Sequence, residues 1–270
     1  SPSLGCMTPP TDLDIAVRAA LAGAEVVRNG FGVPVDTEMK GAVDPVTVID
    51  RQAEEAVLTV IHAHRPDDSV LGEEGGGDVV GSGRRWLIDP LDGTVNFVAG
   101  VPHVAVSIGL WEEDEPLAAV IVDVMRDDVF AAARGLGATL NGKPIRVAER
   151  SDLGSSLLVT GFPYDRQQRA DLYTAAVTDA LRVARGVRRF GTAALDFAWV
   201  AAGRLDGYWE FGLKPWDVAA GILIVREAGG RATDQAGQPA GVNDPFVIAT
   251  NGGIHRSLHT LLEPTIRRVL

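Results

Sequence analysis

A single cysteine, Cys6, rules out any internal disulfide in this 270-residue chain, so packing alone has to hold the fold. Such cysteine usage suits a reducing compartment, and the expected location is the cytoplasm. No apolar run approaches the roughly 18 to 20 residues that cross a bilayer as a helix. Ser1 to Pro10 lacks the basic start and apolar stretch of a secretion signal and reads as a loose tail. Basic residues are also few: 25 Lys and Arg against 36 Asp and Glu leave a formal net charge of −11. That balance argues against nucleic acid and against an anionic membrane as partners, because both demand concentrated Lys and Arg. An acidic protein can still bind a small anion when metal cations stand between them.

What the chain does have is 46% hydrophobic content, enough to bury a large core. Apolar residues at helical spacing (Leu13, Val17, Ala20, Leu21, Ala24) predict a helix over Thr11–Asn29, and a second is predicted from about Val46 to His64. Ser69–Leu71 and Trp86–Ile88 are expected to be short buried strands running into acids, with a glycine-rich loop over Gly75–Gly83 between them. Further strands are expected over Val104–Leu110, Leu117–Val124 and Val129–Ala133, and Asn141-Gly142 has the composition of a hairpin turn. After about Ser151 the expected pattern alternates. Strands near Leu157–Thr160, Val187–Arg189, Gly207–Glu210 and Phe246–Ala249 interleave with helices near 166–184, 193–202, 218–228 and 254–269. An antiparallel-rich half (residues 11–150) and an alternating half (residues 151–270) imply a layered α+β fold with a cleft between them.

The chemistry concentrates in acids at element ends. In Trp86-Leu-Ile-Asp89-Pro-Leu-Asp92-Gly93-Thr94 an apolar strand delivers Asp89, and Pro90 is expected to turn the chain so that Asp92 returns beside it. Two such acids next to a helix N-terminus suit a hard cation and a phosphate together. Standing alone, the same segment is equally a turn that favours Asp. Three more acidic clusters accompany it: Glu73 and Glu74 after an apolar strand, Asp50 in the first turn of a helix, and Asp217 at the start of another. Acids in a first helical turn also stabilise the helix dipole, and Glu74 by itself reads as solvated surface. The five histidines show no metal-ligand spacing and read as structural; Trp86, Trp199, Trp209 and Trp216 read as core, with Trp111 partly exposed. Arg188-Arg189 is left open between a cleft, a partner subunit and a solvated strand end.

Taken in order, Asp44-Pro-Val-Thr-Val-Ile-Asp50, Gly72-Glu73-Glu74, Trp86 to Thr94, Gly191-Thr-Ala-Ala-Leu-Asp196 and Pro215-Trp-Asp-Val-Ala-Ala-Gly221 resemble the inositol monophosphatase family. The resemblance implies an αβαβα sandwich and a Mg²⁺-dependent, lithium-sensitive phosphatase with two to three ions, and a homodimer, as relatives commonly are. Glu73, Asp89 and the Leu91 carbonyl would hold one Mg²⁺, and Asp89, Asp92 and Asp217 a second. Glu73 would share a weaker third ion. Thr94, paired with Asp50, would orient the attacking water together with Glu73. Gly93 and Thr94 would donate backbone N–H groups to the phosphate. Gly191, Thr192, Ala193, Glu210 and Asp92 would meet the hydroxyls of the alcohol. The leading substrate is inositol 1-phosphate, with histidinol phosphate, fructose 1,6-bisphosphate and 3′-phosphoadenosine 5′-phosphate as alternatives on the same chemistry, and a non-catalytic regulatory protein as the alternative of another class. The strands between Val104 and Val124 are the candidate dimer contact.

Overall fold

The computed structural model describes residues 9–34, 37–41, 44–75 and 83–270. In chain order the elements are α1 (Asp12–Gly30), β1 (Thr37–Gly41), β2 (Asp44–Thr47), α2 (Val48–His64), β3 (Ser69–Gly72), β4 (Arg84–Asp92), α3 (Thr94–Val98), β5 (Ala105–Glu112), β6 (Glu115–Asp123), β7 (Asp128–Ala133), β8 (Ala138–Leu140) and β9 (Lys143–Pro144). They continue as β10 (Leu157–Thr160), α4 (Arg166–Val183), β11 (Gly186–Arg188), α5 (Ala193–Ala201), β12 (Gly207–Phe211), α6 (Pro215–Glu227), β13 (Arg231–Thr233), β14 (Phe246–Thr250) and α7 (His255–Val269). Seven strands, β3 through β9, form one sheet in sequence order, and a second sheet runs β11-β10-β12-β14-β13. Both sheets mix parallel and antiparallel pairs.

Three apolar clusters define the layers. The first joins α1 and α2 to one face of the seven-stranded sheet through Ile15, Val57, Trp86 and Ile108. The second fills the space between the two sheets, where α5 and α6 lie, through Leu87, Phe130, Phe197, Tyr208 and Ile222. The third packs α4 and α7 on the far side of the second sheet through Tyr173, Trp209, Ile248 and Leu258. The order is helix, sheet, helix, sheet, helix, the αβαβα sandwich expected. The first sheet ends at Pro144 and the second begins at Leu157, yet the middle core belongs to both.

Local chemistry sets the element ends. Helix α1 opens on a capping box: Thr11 Oγ1 accepts the Asp14 N–H at 3.1 Å, and Asp14 accepts the Thr11 N–H at 2.9 Å. Thr47 and Asp50 repeat the device at α2. The buried face of α1 is Ile15, Ala16, Ala19, Ala20, Ala24 and Val27, whereas Leu21 is exposed. Of the predicted stripe, Ala20 and Ala24 lie on this face and Leu13 and Val17 pack half-buried at its edge, so only Leu21 falls outside it. Small residues let α1 approach α2 closely: a Cβ on Gly23 would lie 2.8 Å from Val57 Cγ2. Asn141 and Gly142 both take positive φ, +50° and +74°, and close the β8–β9 hairpin.

Two expectations are corrected. Trp111 is 3% exposed rather than partly exposed, because β5 runs on to Glu112 and α6 covers it; the indole N–H donates to the Ala219 carbonyl at 3.1 Å. The strands between Val104 and Val124, proposed for a dimer contact, are almost wholly buried within the subunit. The glycine-rich stretch falls mostly outside the described residues, as does Cys6. Among the described residues no helix is long and apolar enough to cross a membrane.

The sheet and α6 meet at backbone distance. A Cβ on Gly109 of β5 would stand 2.7 Å from Ala219 Cβ and 2.9 Å from the Ala220 nitrogen. Gly109→Ala is expected to destabilise the protein by about 1–3 kcal/mol through overpacking, read as a lower urea midpoint. An unchanged midpoint would contradict this close approach.

Candidate active site

The acids of one cleft come from separate elements, and a β-bulge joins the first two. Along a regular strand, residues three apart face opposite sides of the sheet. Here Asp89 pairs with Ser107 while Asp92 pairs with Ala105, so β4 carries one extra residue against β5. The bulge turns Asp89 and Asp92 toward the same cleft. Pro90 was expected to reverse the chain; instead the strand continues through it to Asp92.

Backbone amides then fix each carboxylate. Asp89 Oδ1 accepts the Leu91 N–H at 3.1 Å, and Asp92 Oδ2 accepts the Ala194 N–H at 2.7 Å. Asp217 Oδ2 accepts the Lys214 N–H at 2.7 Å, an arrangement supplied by its place in the first turn of α6. Glu73 follows β3, its own N–H donating to the Ile88 carbonyl at 3.2 Å. Glu73, Asp89, Leu91, Asp92 and Asp217 all line the cleft. Glu74, expected to be solvated surface, is half-buried.

The field among these groups is unfavourable to their charges. Burial raises the Asp89 carboxyl well above the usual carboxylate range, and Glu73, Asp92 and Asp217 push it further. Burial carries Asp92 up to about 7, with Glu210 and Glu73 adding to it and the Ala194 N–H opposing. Asp217 is pushed up to about 8 by burial and then by Asp92. Divalent cations are the natural counter-charge for such a cluster, and its donors are all hard oxygens. No histidine or cysteine lines the cleft among the described residues. Nor are three of these side chains already drawn around one point as a closed cage. Each of the three aspartates nevertheless has only one oxygen tied to an amide, and the set fits Mg²⁺.

Beyond the acids, Gly93 at φ +94° delivers the chain into the short helix α3, whose first turn leaves backbone N–H groups without intrahelical partners. Gly93 tolerates no side chain, since a Cβ would fall 2.5 Å from Thr192 Cγ2. The Thr94 hydroxyl lies 3.1 Å from Asp50 Oδ1 and 3.0 Å from the Leu91 carbonyl. Asp50 in turn caps α2 through Thr47, at 2.6 Å to its hydroxyl and 2.8 Å to its N–H. Burial raises the Asp50 carboxyl, against the pull of these bonds.

The second half supplies the opposite wall: Gly191, Thr192, Ala193 and Glu210 all line the cleft. The Thr192 hydroxyl is buried and has no hydrogen-bond partner within the chain. Glu210 accepts the Tyr208 hydroxyl at 2.6 Å, and burial lifts its carboxyl to about 7 although Arg189 and Arg166 hold it down. Arg189 reaches the cleft, its guanidinium 5.8 Å from the Phe162 ring centre, while Arg188 is exposed. His255 is a structural histidine, bracketed by the Thr233 and Thr250 hydroxyls at 3.0 and 2.9 Å.

Sequence reading gave no role to Asp196, Gly161, Tyr208 or Arg166. Asp196 lines the cleft with both carboxylate oxygens buried and unpartnered, its carboxyl raised by burial, Glu210 and Asp92. Its signal was present: one acid inside the apolar run Ala193 to Val200. Gly161 carried no signal, because its neighbour Glu210 is 49 positions away.

Comparison with known proteins agrees with this architecture. Residues 10–270 match the inositol monophosphatase family. The chain is 45% identical over 257 residues to an inositol-1-monophosphatase of Synechocystis, covering 94% of this chain and 90% of that protein. It is 40% identical to the Nus factor SuhB of Pseudomonas aeruginosa, covering 93% and 96%. The solved inositol monophosphatase of Anabaena superposes with a TM-score of 0.84 at 43% identity, covering 93% of this chain and 95% of that one. The chain belongs to the inositol monophosphatase family, and phosphatase chemistry is what that membership supports.

A methyl on Gly161 would stand 2.0 to 2.3 Å from the Glu210 carboxylate. Gly161→Ala is therefore expected to displace Glu210 and lower kcat/KM on a polyol phosphate by roughly tenfold, about one charge-assisted hydrogen bond. Wild-type kcat/KM in the folded variant would show that Glu210 takes no part in binding.

Proposed function

We propose that the chain hydrolyses a small polyol phosphate monoester, with inositol 1-phosphate as leading substrate, using two to three Mg²⁺ ions. The observation that carries this reading is the convergence of Glu73, Asp89, Asp92 and Asp217 opposite a wall that ends in a fifth acid, Glu210. The first group repels a phosphate unless cations intervene, and the last suits uncharged hydroxyls. Glu73, Asp89, the Leu91 carbonyl, Asp92 and Asp217 would hold the ions. Bound Mg²⁺ supplies charge neutralisation and a water of lowered pKa.

The chain's own residues do the rest. Asp50 accepts the Thr94 hydroxyl proton, which leaves the Thr94 oxygen free to accept from the attacking water beside Glu73. Backbone N–H groups at Gly93 and Thr94 orient the phosphate. Asp92 sits between the metal cluster and Ala194, and so ties the reacting phosphate to the alcohol-binding wall of Gly191, Thr192, Ala193 and Glu210. Phosphoryl transfer through a loose transition state needs this positioning and charge more than covalent help. Inhibition by lithium belongs to the same reading.

A second substrate reading is favoured by Arg166 and Arg189, which stand near Glu210 and suit a second anionic group, as on fructose 1,6-bisphosphate. The Nus factor name of one relative supports a transcription-linked role alongside catalysis. The charge of −11 argues that such a role would run through protein rather than direct nucleic-acid contact. A homodimer is part of the proposal, and the exposed side chains Val98 and Val101 are candidates for its surface.

Phosphate release is expected to vanish in excess EDTA and return with Mg²⁺; full turnover in EDTA would contradict the metal site. Substrate identity is tested by Glu210→Gln. Turnover of inositol 1-phosphate is expected to fall roughly tenfold to a hundredfold, with glycerol 2-phosphate barely affected. Equal losses on both would make Glu210 a structural residue, and no loss on either would overturn the inositol reading.

A further inference from the structure

Helix α2 carries two buried acids one turn apart, Asp50 and Glu54. Asp50 serves Thr94. Glu54 is 4% exposed and faces the turn that follows β3, where its Oε2 accepts the backbone N–H of Glu74 at 2.9 Å. The same carboxylate lies between two glycines of that turn. A Cβ on Gly72 would fall 2.3 Å from Oε2, and one on Gly75 would fall 2.5 Å from Oε1. From the other side, the Glu73 N–H is held by the Ile88 carbonyl of β4 at 3.2 Å. Glu73 therefore stands between two anchors on consecutive amides, its own on the sheet and the next on α2.

A buried carboxylate is an expensive filler, since desolvation disfavours it relative to an apolar side chain of similar size. Its presence beneath two glycines marks a turn whose position has to be held. We propose that Glu54 is a positioning residue that sets where the Glu73 carboxylate enters the cleft, so that α2 aligns the Thr94 segment through Asp50 and the Glu73 turn through Glu54. This rests on the reading of Glu73 as a metal ligand. Removing a group that orients a ligand in this way typically costs about tenfold to a hundredfold in metal affinity.

The test is calorimetric titration of Mg²⁺ into metal-stripped full-length protein, with substrate KM at saturating Mg²⁺ and the melting temperature in EDTA measured beside it. Glu54→Ala is expected to weaken Mg²⁺ binding by about tenfold to a hundredfold, with KM at saturating Mg²⁺ unchanged. Glu54→Gln keeps an acceptor for the Glu74 N–H and is expected to recover most of the affinity. Gly75→Ala leaves Glu54 in place but crowds its carboxylate, and is expected to share the defect of Glu54→Ala. Wild-type affinity in either alanine variant overturns the proposal. Equal losses in Glu54→Ala and Glu54→Gln, accompanied by a lower melting temperature, overturn it too, because they describe a packing role. Glu73→Gln separates the two readings. Wild-type Mg²⁺ binding there defeats the metal site itself, whereas weak binding beside a normal Glu54→Ala defeats only the positioning role.

Discussion

The burial of several carboxylates beside one another is the constraint on which the rest of this structure depends. Burial penalises the charge on Asp89 most, and Glu73, Asp92 and Asp217 add to that penalty through a medium that screens poorly. Such a group does not assemble by itself. It is held by backbone: Leu91, Ala194 and Lys214 each present an N–H to one of the three aspartates. Each donor belongs to an element whose position is fixed by core packing, so the stability of the sandwich is converted into the placement of unfavourable charge.

The layered architecture follows from that need. The seven-stranded sheet brings Asp89 and Asp92 to the end of β4, while α5 and α6, packed between the sheets, bring Ala194 and Asp217 to meet them. Close packing at Gly109 against α6 allows no slack between sheet and helix layer, and at Gly221 against Phe197 none between α6 and α5. Asn96 adds a polar tie, its side-chain amide donating to the His103 and Phe190 carbonyls at 2.9 Å each. The cleft is thus a seam lined from both halves of the chain around one shared core, with Glu73, Asp89 and Asp92 from the first half and Gly191, Thr192, Ala193, Glu210 and Asp217 from the second.

Much of this was legible in the sequence because the informative residues stand at element ends. Apolar strands running into acids, capping residues before helices, and Asn-Gly between short strands are local signals, and the elements they predict lie within a few residues of those observed. What escaped was set by distance in the chain. The exposure of Leu21 on α1 depended on how closely alanines and Gly23 approach α2, which periodicity alone does not disclose. The bulge that aligns Asp89 with Asp92 reads in sequence as a proline turn. Glu54 looks like any solvated helix acid until Gly72 and Gly75 are seen lying against it, and Asp196 looks like an interruption of an apolar helix until it is found on the cleft wall.

The central claim is that the acid cluster opposes folding until cations occupy it, and thermal unfolding with and without Mg²⁺ tests that directly. A ligand that binds only the native state raises stability by RT ln(1 + [L]/Kd), so the melting temperature of the wild-type chain should climb with Mg²⁺. Asp89→Asn keeps an acceptor for the Leu91 N–H but removes the most repelled charge. The account predicts that this variant melts higher than wild type in EDTA and gains little from Mg²⁺. A variant that melts lower in EDTA and is stabilised by Mg²⁺ as much as wild type would contradict it.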